Sequence, residues 1–299
     1  MKILITGGAG FIGSTLAEEL VKTNEVTVVD NFHTGNVDNL RPIINKIHLI
    51  HGTSGQTEKF TDAYDVIFHH GMYSSSPMYF DDPTRVGGTI TDFIKLLEHA
   101  RKNNSKVIFA STSSLYYGKK PPHTEDMDIE VTDFYTEARV EMERLAHLYT
   151  TLYGLPIIGL RYFSIYGPKE RYKTKYANII SQFLWAIKNN KSPVVYGDGT
   201  QTRDFIYIVD VIRANMHALT VNKQGVYNIG TGVETSVNQV LEFLTKKVGK
   251  KIRPEYIQNK IKNYVQRTQA DTSLAEKELG FKSHIPLEQG IERLIKSIY

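Results

Sequence analysis

A doubly wound α/β fold, with a parallel sheet between two layers of helices, is what this sequence of 299 residues predicts. Three observations predict it. Short apolar runs suited to buried strands recur at residues 2–5, 25–29, 46–50, 66–69, 107–110 and 156–160. Stretches of helical spacing separate them, the clearest at 89–102 and 135–153. Glycines and hydroxyl residues follow the strands, where ligands bind in such sheets.

The first strand runs into Thr6-Gly7-Gly8-Ala9-Gly10-Phe11-Ile12-Gly13, and residues 14–22 continue at helical spacing. Gly7, Gly10 and Gly13 fit G-x-x-G-x-x-G, a spaced variant of the dinucleotide fingerprint of Rossmann-type folds. The first glycine permits a tight turn, the second lets backbone approach a pyrophosphate, and the third lets helix lie close on strand. N–H groups of the first helical turn then face the phosphates, helped by the helix dipole. Glycine-rich turns also simply join strands to helices. Here the second strand ends in Asp30, placed to bond adenosine ribose hydroxyls, and Asn31 follows with no Arg beside it, which favours NAD over NADP. Phe11, Ile12 and Gly35 are further candidates for cofactor contact.

Later strand ends deliver Gly71-Met72-Tyr73 with a serine run, Ser111 to Gly118, and Arg161-Tyr162-Phe163-Ser164. From about Pro168 the pattern changes. A helix is expected over 176–188, strands at 192–196 and 226–229, and helices at 236–248, 274–279 and 287–298, with Ser236 an N-cap. The expected division is a cofactor domain over 1–167 and a smaller α/β substrate lobe over 168–299, with segments crossing back to the first.

Composition bounds the function. Apolar content of 41% and charged content of 23% fit an ordinary globular protein, and no apolar run approaches a membrane span. With no signal-like start, a cytoplasmic location is expected. The absence of Cys excludes thiol catalysis and Cys-ligated zinc, and no metal site is expected. Net charge of +4 is dispersed. The densest basic group, Lys246, Lys247, Lys250, Lys251 and Arg253, is expected to be a solvated helix end, not a nucleic-acid surface.

Ser113, Tyr135 and Arg139 are the constellation that implies chemistry. A phenol acts as a base near neutral pH only if its ionised form is favoured, and a cation one helical turn on favours it. A serine at a neighbouring strand end can hold the substrate oxygen. A buried Tyr beside a surface Arg is the plainer alternative.

Together these motifs resemble the extended short-chain dehydrogenase/reductase family of NAD-dependent sugar-nucleotide epimerases and dehydratases. The resemblance covers nearly the whole chain and includes Tyr135-x-x-x-Arg139, Leu160 to Pro168, Tyr196-Gly197-Asp198-Gly199, Arg203-Asp204-Phe205, Asn228 to Gly232 and Ala270-Asp271. It is nearest to the UDP-glucose (UDP-galactose) 4-epimerase branch. It implies that Ser113 and Tyr135 flank a sugar C4 hydroxyl, that Tyr135 takes its proton while hydride moves to NAD, and that a rotated 4-ketose takes the hydride back. It also implies cofactor contacts at His69, Tyr162, Tyr135 and Arg139. Substrate contacts are implied at Ser164, Tyr196, Arg203 and Lys262, and a homodimer through helices that include Leu96, Leu97, Leu145 and Leu148.

Several positions depart from the family pattern. Arg139 replaces Lys, Ser164 replaces Asn, Ile261 replaces an Arg, and Gly52-Thr53-Ser54 replaces the segment that contacts adenine. Arg85 stands where the pattern has Asn, and His70-Gly71-Met72 replaces Leu-Ala-Ala; His69 and His70 are expected as packing residues. Ser114-Leu115 stand where dehydratases carry an Asp-Glu pair. That argues against elimination and leaves a 4-keto-sugar reductase and a non-catalytic dinucleotide-binding protein as alternatives.

Overall fold

The computed structural model describes residues 1–60, 62–250, 253–259 and 264–298. In chain order the elements are β1 (Lys2–Thr6), α1 (Phe11–Leu20), β2 (Glu25–Asp30), β3 (Ile47–His51), β4 (Val66–His69), α2 (Ser76–Asp81), α3 (Arg85–Asn103), β5 (Lys106–Thr112), α4 (Phe134–Tyr153), β6 (Ile157–Tyr162) and β7 (Ser164–Tyr166). There follow α5 (Ile179–Lys188), β8 (Val194–Tyr196), β9 (Thr202–Tyr207), α6 (Ile208–Thr220), β10 (Gly225–Ile229), β11 (Glu234–Ser236), α7 (Val237–Val248), β12 (Glu255–Ile257), α8 (Ser273–Leu279) and α9 (Leu287–Ile298).

The seven-stranded sheet runs β10-β6-β5-β4-β1-β2-β3, and its pairings are all parallel. The chain moves outward from β1 through β2 to β3, then returns to β4 on the other side of β1. The strand order therefore reverses between β1 and β4, and a crevice opens beyond their carboxyl ends. Thr6 pairs with Val29 on one side and His69 on the other, so three strand ends meet at the glycine turn.

Alternation along β1 explains the two layers. Ile3 and Ile5 join one apolar cluster with Phe68, Ile108 and Leu160, under α1, α5 and α6. Leu4 points the other way, into a cluster with Ile67, Phe93, Val107 and Met142, under α3 and α4. β10, from the second half of the chain, completes the first sheet by pairing with β6, while β11-β9-β7 and β12-β8 form two small sheets.

Some sequence expectations shift. α1 occupies 11–20, not 14–22, because extended Gly10 starts it inside the glycine motif and Val21 ends it. α3 begins at Arg85, four residues earlier than the spacing indicates, and carries Gly87 and Gly88 within its first turns. α5 begins only at Ile179, because Asn178 accepts the Ile180 N–H at 3.0 Å as an N-cap and Glu170–Tyr176 is a separate 3-10 turn. Leu96 and Leu97 are fully buried in the chain's own core and face no outer surface; Leu148 is 47% exposed. In the basic group, Lys247 pairs with Glu292 at 2.5 Å and Lys250 donates to the Lys188 carbonyl at the end of α5. Lys251, Ile261 and Lys262 lie outside the described residues.

Candidate active site

The glycine turn is shaped by contacts that only hydrogen permits. A Cβ on Gly13 would collide with the Gly7 backbone, and one on Gly7, at φ +69°, would overlap the backbone of His70 and Gly71. α1 is thereby held close on β1, with its N-terminal N–H groups open to the crevice. At the end of β2, the Asp30 carboxylate accepts the Ala9 N–H at 2.9 Å and the Phe32 N–H at 2.7 Å. Burial nonetheless pushes its pKa above the ordinary carboxylate value, with those N–H groups opposing the shift. Gly35 closes on it so tightly that a Cβ there would sit 2.8 Å from Asp30 Oδ1. Gly7, Gly10, Phe11, Ile12, Gly13, Asp30, Asn31 and Gly35 all line one cavity of about 700 Å³.

The same cavity is also lined by Ser113, Tyr135 and Arg139. Ser113 leaves β5 in a 3-10 turn whose N-cap is Thr112, which accepts the Ser114 N–H. Tyr135 sits in the first turn of α4, where Asp133 and Thr136 form a capping box. Asp133 also accepts from Ser76 Oγ at 2.6 Å, which ties α2 to the same helix start. Among the described residues the hydroxyls of Ser113 and Tyr135 make no hydrogen bond, so both are available at the cavity wall.

Arg139 lies one turn further along α4 and is only 2% exposed. Its guanidinium carbon stands 4.8 Å from the Tyr135 ring centre. Nη2 donates to the Tyr73 carbonyl at 2.6 Å, Nη1 to Met142 Sδ at 3.6 Å, and Nε has no partner. Among the described residues no carboxylate pairs with it. The buried cation is thus anchored by the Tyr73 carbonyl and lies over the phenol ring of Tyr135.

β4 contributes two buried imidazoles. His69 meets Thr6 Oγ1 at 2.8 Å through Nδ1 and stacks on Phe93. His70 meets the Tyr162 hydroxyl at 3.1 Å through Nε2. Burial lowers their pKa values to about 3 and about 4, so both are neutral near pH 7. The direction of the second network follows from its anchor. Asn215 Nδ2 donates to the Val211 carbonyl, so Asn215 Oδ1 accepts from the Tyr162 hydroxyl at 3.0 Å. The Tyr162 oxygen then accepts from His70 Nε2–H, and His70 Nδ1 is left as an acceptor without a partner. Ser164, at the start of β7, lines the same cavity.

The structure does not bring every candidate to this cavity. Tyr196 is 43% exposed and Arg203 donates to the Thr202 carbonyl at 2.7 Å, with its guanidinium 5.1 Å from the Tyr264 ring centre. Neither lines the cavity: Tyr196 lies on β8 and Arg203 on β9, strands of the two small sheets. Tyr73 and Ser75, from the strand end after β4, line the cavity as that placement implies, as does Arg85; conversely, Asp92, Lys173, Tyr176 and Asn178 line it and had no candidate role from the sequence. Asn178 and the Asp133-x-x-Thr136 box were the findable ones, since capping residues mark helix starts. The rest depend on which face of a helix or loop turns inward.

A dinucleotide fits this arrangement: a strand–turn–helix cradle closed to any side chain, an acid fixed at the next strand end, and cavity-lining residues with unpartnered buried atoms. The model of the NAD dependent epimerase/dehydratase family matches residues 3–230. The chain belongs to that family. It is 36% identical over 301 residues to a putative UDP-glucose 4-epimerase of Methanocaldococcus jannaschii, covering 98% of this chain and 97% of that one. UDP-glucose 4-epimerase from Thermotoga maritima, solved with UDP-glucose, superposes with a TM-score of 0.94 at 29% identity, covering 100% of this chain and 98% of that one. UDP-glucuronic acid 4-epimerase from Bacillus cereus, solved with UDP-glucuronic acid and NAD, superposes at 0.90 with 30% identity and complete coverage of both chains. The family's cofactor is NAD, and the residues that fit it here are Gly7 to Gly13, Asp30 and Gly35. Among the described residues no helix is long and apolar enough to cross a membrane.

Proposed function

We propose that this chain is a 4-epimerase acting on a UDP-sugar of the UDP-glucose/UDP-galactose type with NAD as resident cofactor. The observation that carries the reading is the placement of two free hydroxyls, on Ser113 and Tyr135, in the wall of the one cavity that the glycine turn also lines. When bound, NAD would supply the hydride acceptor for C4 of the sugar and the hydride donor to the other face of the rotated 4-ketose. Tyr135 takes the proton of the C4 hydroxyl and later returns it, Ser113 holds that oxygen, and buried Arg139 stabilises the phenolate through its place beside the ring. Ser114 and Leu115 carry no carboxyl group, so no acid and base for water loss stand directly after Ser113.

The first 167 residues hold the cofactor in this reading and residues 168–299 mainly the sugar nucleotide, with Arg203, Tyr196 and Lys262 toward its nucleoside diphosphate. The protein works as a cytoplasmic homodimer, through the outward apolar side chains of α3 and α4, among them Ile94, Leu148 and Leu152. A panel of UDP-, dTDP- and GDP-sugars with product separation tests the reading. It predicts interconversion of UDP-glucose and UDP-galactose without added dinucleotide. Turnover only with added NADH or NADPH would instead mark a reductase, and no turnover of any sugar nucleotide would end the enzyme reading.

A further inference from the structure

Asp92 stands in the wall of the cofactor cavity, on the face of α3 that also carries Arg85, Gly88 and Thr89. It lies directly on the loop after β3. A Cβ on buried Gly55 would collide with the Asp92 carboxylate and come within 3.0 Å of the Asp92 Cα, so the bare glycine leaves the space the carboxylate occupies. Among the described residues Asp92 makes no hydrogen bond and no ion pair. The polar side chains of the segment that carries Gly55 bond elsewhere. Gln56 Oε1 accepts the Thr53 N–H at 3.1 Å, Ser54 Oγ donates to the Gly71 carbonyl at 3.4 Å, and Lys59 Nζ donates to the His51 carbonyl at 2.9 Å.

The position in the cavity decides what this acceptor meets. β2 and β3 lie next outward from the glycine turn, and their ends carry Asp30 with loop 31–35 and loop 52–54, all lining the cavity. A dinucleotide with its pyrophosphate on the turn and a ribose on Asp30 sends its base between those two loops, toward Asp92. Adenine presents an exocyclic amine there, a donor, whereas a carboxylate only accepts. A 6-oxo purine would set an oxygen against the carboxylate and leave the charge unpaired.

We propose that Asp92 accepts a hydrogen bond from the 6-amino group of the cofactor's adenine and thereby selects adenine over 6-oxo purines. This rests on NAD as the cofactor. The test is a fluorescence titration of cofactor-stripped protein with NADH and with reduced nicotinamide hypoxanthine dinucleotide, the variants being checked for folding by circular dichroism. The wild type is expected to bind NADH about tenfold more tightly than the hypoxanthine analogue. Asp92→Ala should lose most of that preference by weaker binding of NADH alone. Asp92→Asn, whose amide can also donate, should bind the hypoxanthine analogue better than the wild type does. An undiminished preference in folded Asp92→Ala overturns the proposal. Failure of the wild type to bind either dinucleotide overturns the cofactor assignment, and the role of Asp92 with it.

Discussion

The two ends of the crevice are finished to different degrees. At the adenosine end the Asp30 carboxylate is already fixed by two backbone N–H groups and closed in by Gly35. At the reacting end the buried atoms His69 Nε2, His70 Nδ1, Ser75 Oγ and Arg139 Nε have no hydrogen-bond partner, and all four residues line the cavity. Each such atom costs on the order of 1–3 kcal/mol. The fold therefore fixes Asp30 with completed backbone bonds, while Asp92 and the unpartnered atoms of the reacting end are left for what enters the cavity. Local rules are expected to fail at functional sites in this way.

Substitutions at the reacting end should alter rate and those at the adenosine end affinity. The largest expected effect is Tyr135→Phe, a loss of about 10²- to 10⁴-fold in kcat with bound NAD content unchanged. A matching loss of NAD would erase the distinction between the ends. Arg139→Ala comes next, with kcat lower by about tenfold or more, because the buried cation beside the phenol ring is gone. Arg139→Lys should keep most of the rate, and an Ala variant as fast as the wild type would exclude Arg139 from the chemistry. Asp30→Ala should weaken NAD binding by about 10- to 100-fold with kcat little changed at saturation, measured by titration of the stripped protein.

The smallest effect concerns stability. The unfolded imidazoles of His69 and His70 take protons near pH 6.5, the folded ones only near 3 and 4. Below about pH 6.5 the unfolded chain binds more protons, so stability is lost as pH falls toward 4. Thermal melts from pH 7 to 4 should show a decline of a few degrees or more in Tm, flatter in His70→Phe. An identical slope in that variant would place the acid sensitivity elsewhere.

The adenosine end was the more legible in sequence. Gly7 and Gly13 meet backbone demands that no side chain meets, and Asp30 follows at a strand end, so local spacing sufficed. Ser113, Tyr135 and Arg139 needed both a helix face and a family resemblance. Asp92 was not legible, because its place depends on how α3 packs against the loop after β3, distant in sequence. Leu96 and Leu97 have the spacing of an outer stripe and yet face the core, since α3 has apolar residues on both sides. Arg203 and Tyr196 were read on motif alone, and motif says nothing of how far β8 and β9 lie from the main sheet.

One measurement bears most directly on the claim that Tyr135 serves oxidation and re-reduction at a sugar C4. UDP-galactose carrying deuterium at C4 is converted in water by the protein with no added dinucleotide, and the product is examined by NMR. The account predicts UDP-glucose with the deuterium still at C4. Deuterium released to the solvent, or no UDP-glucose formed, would contradict it.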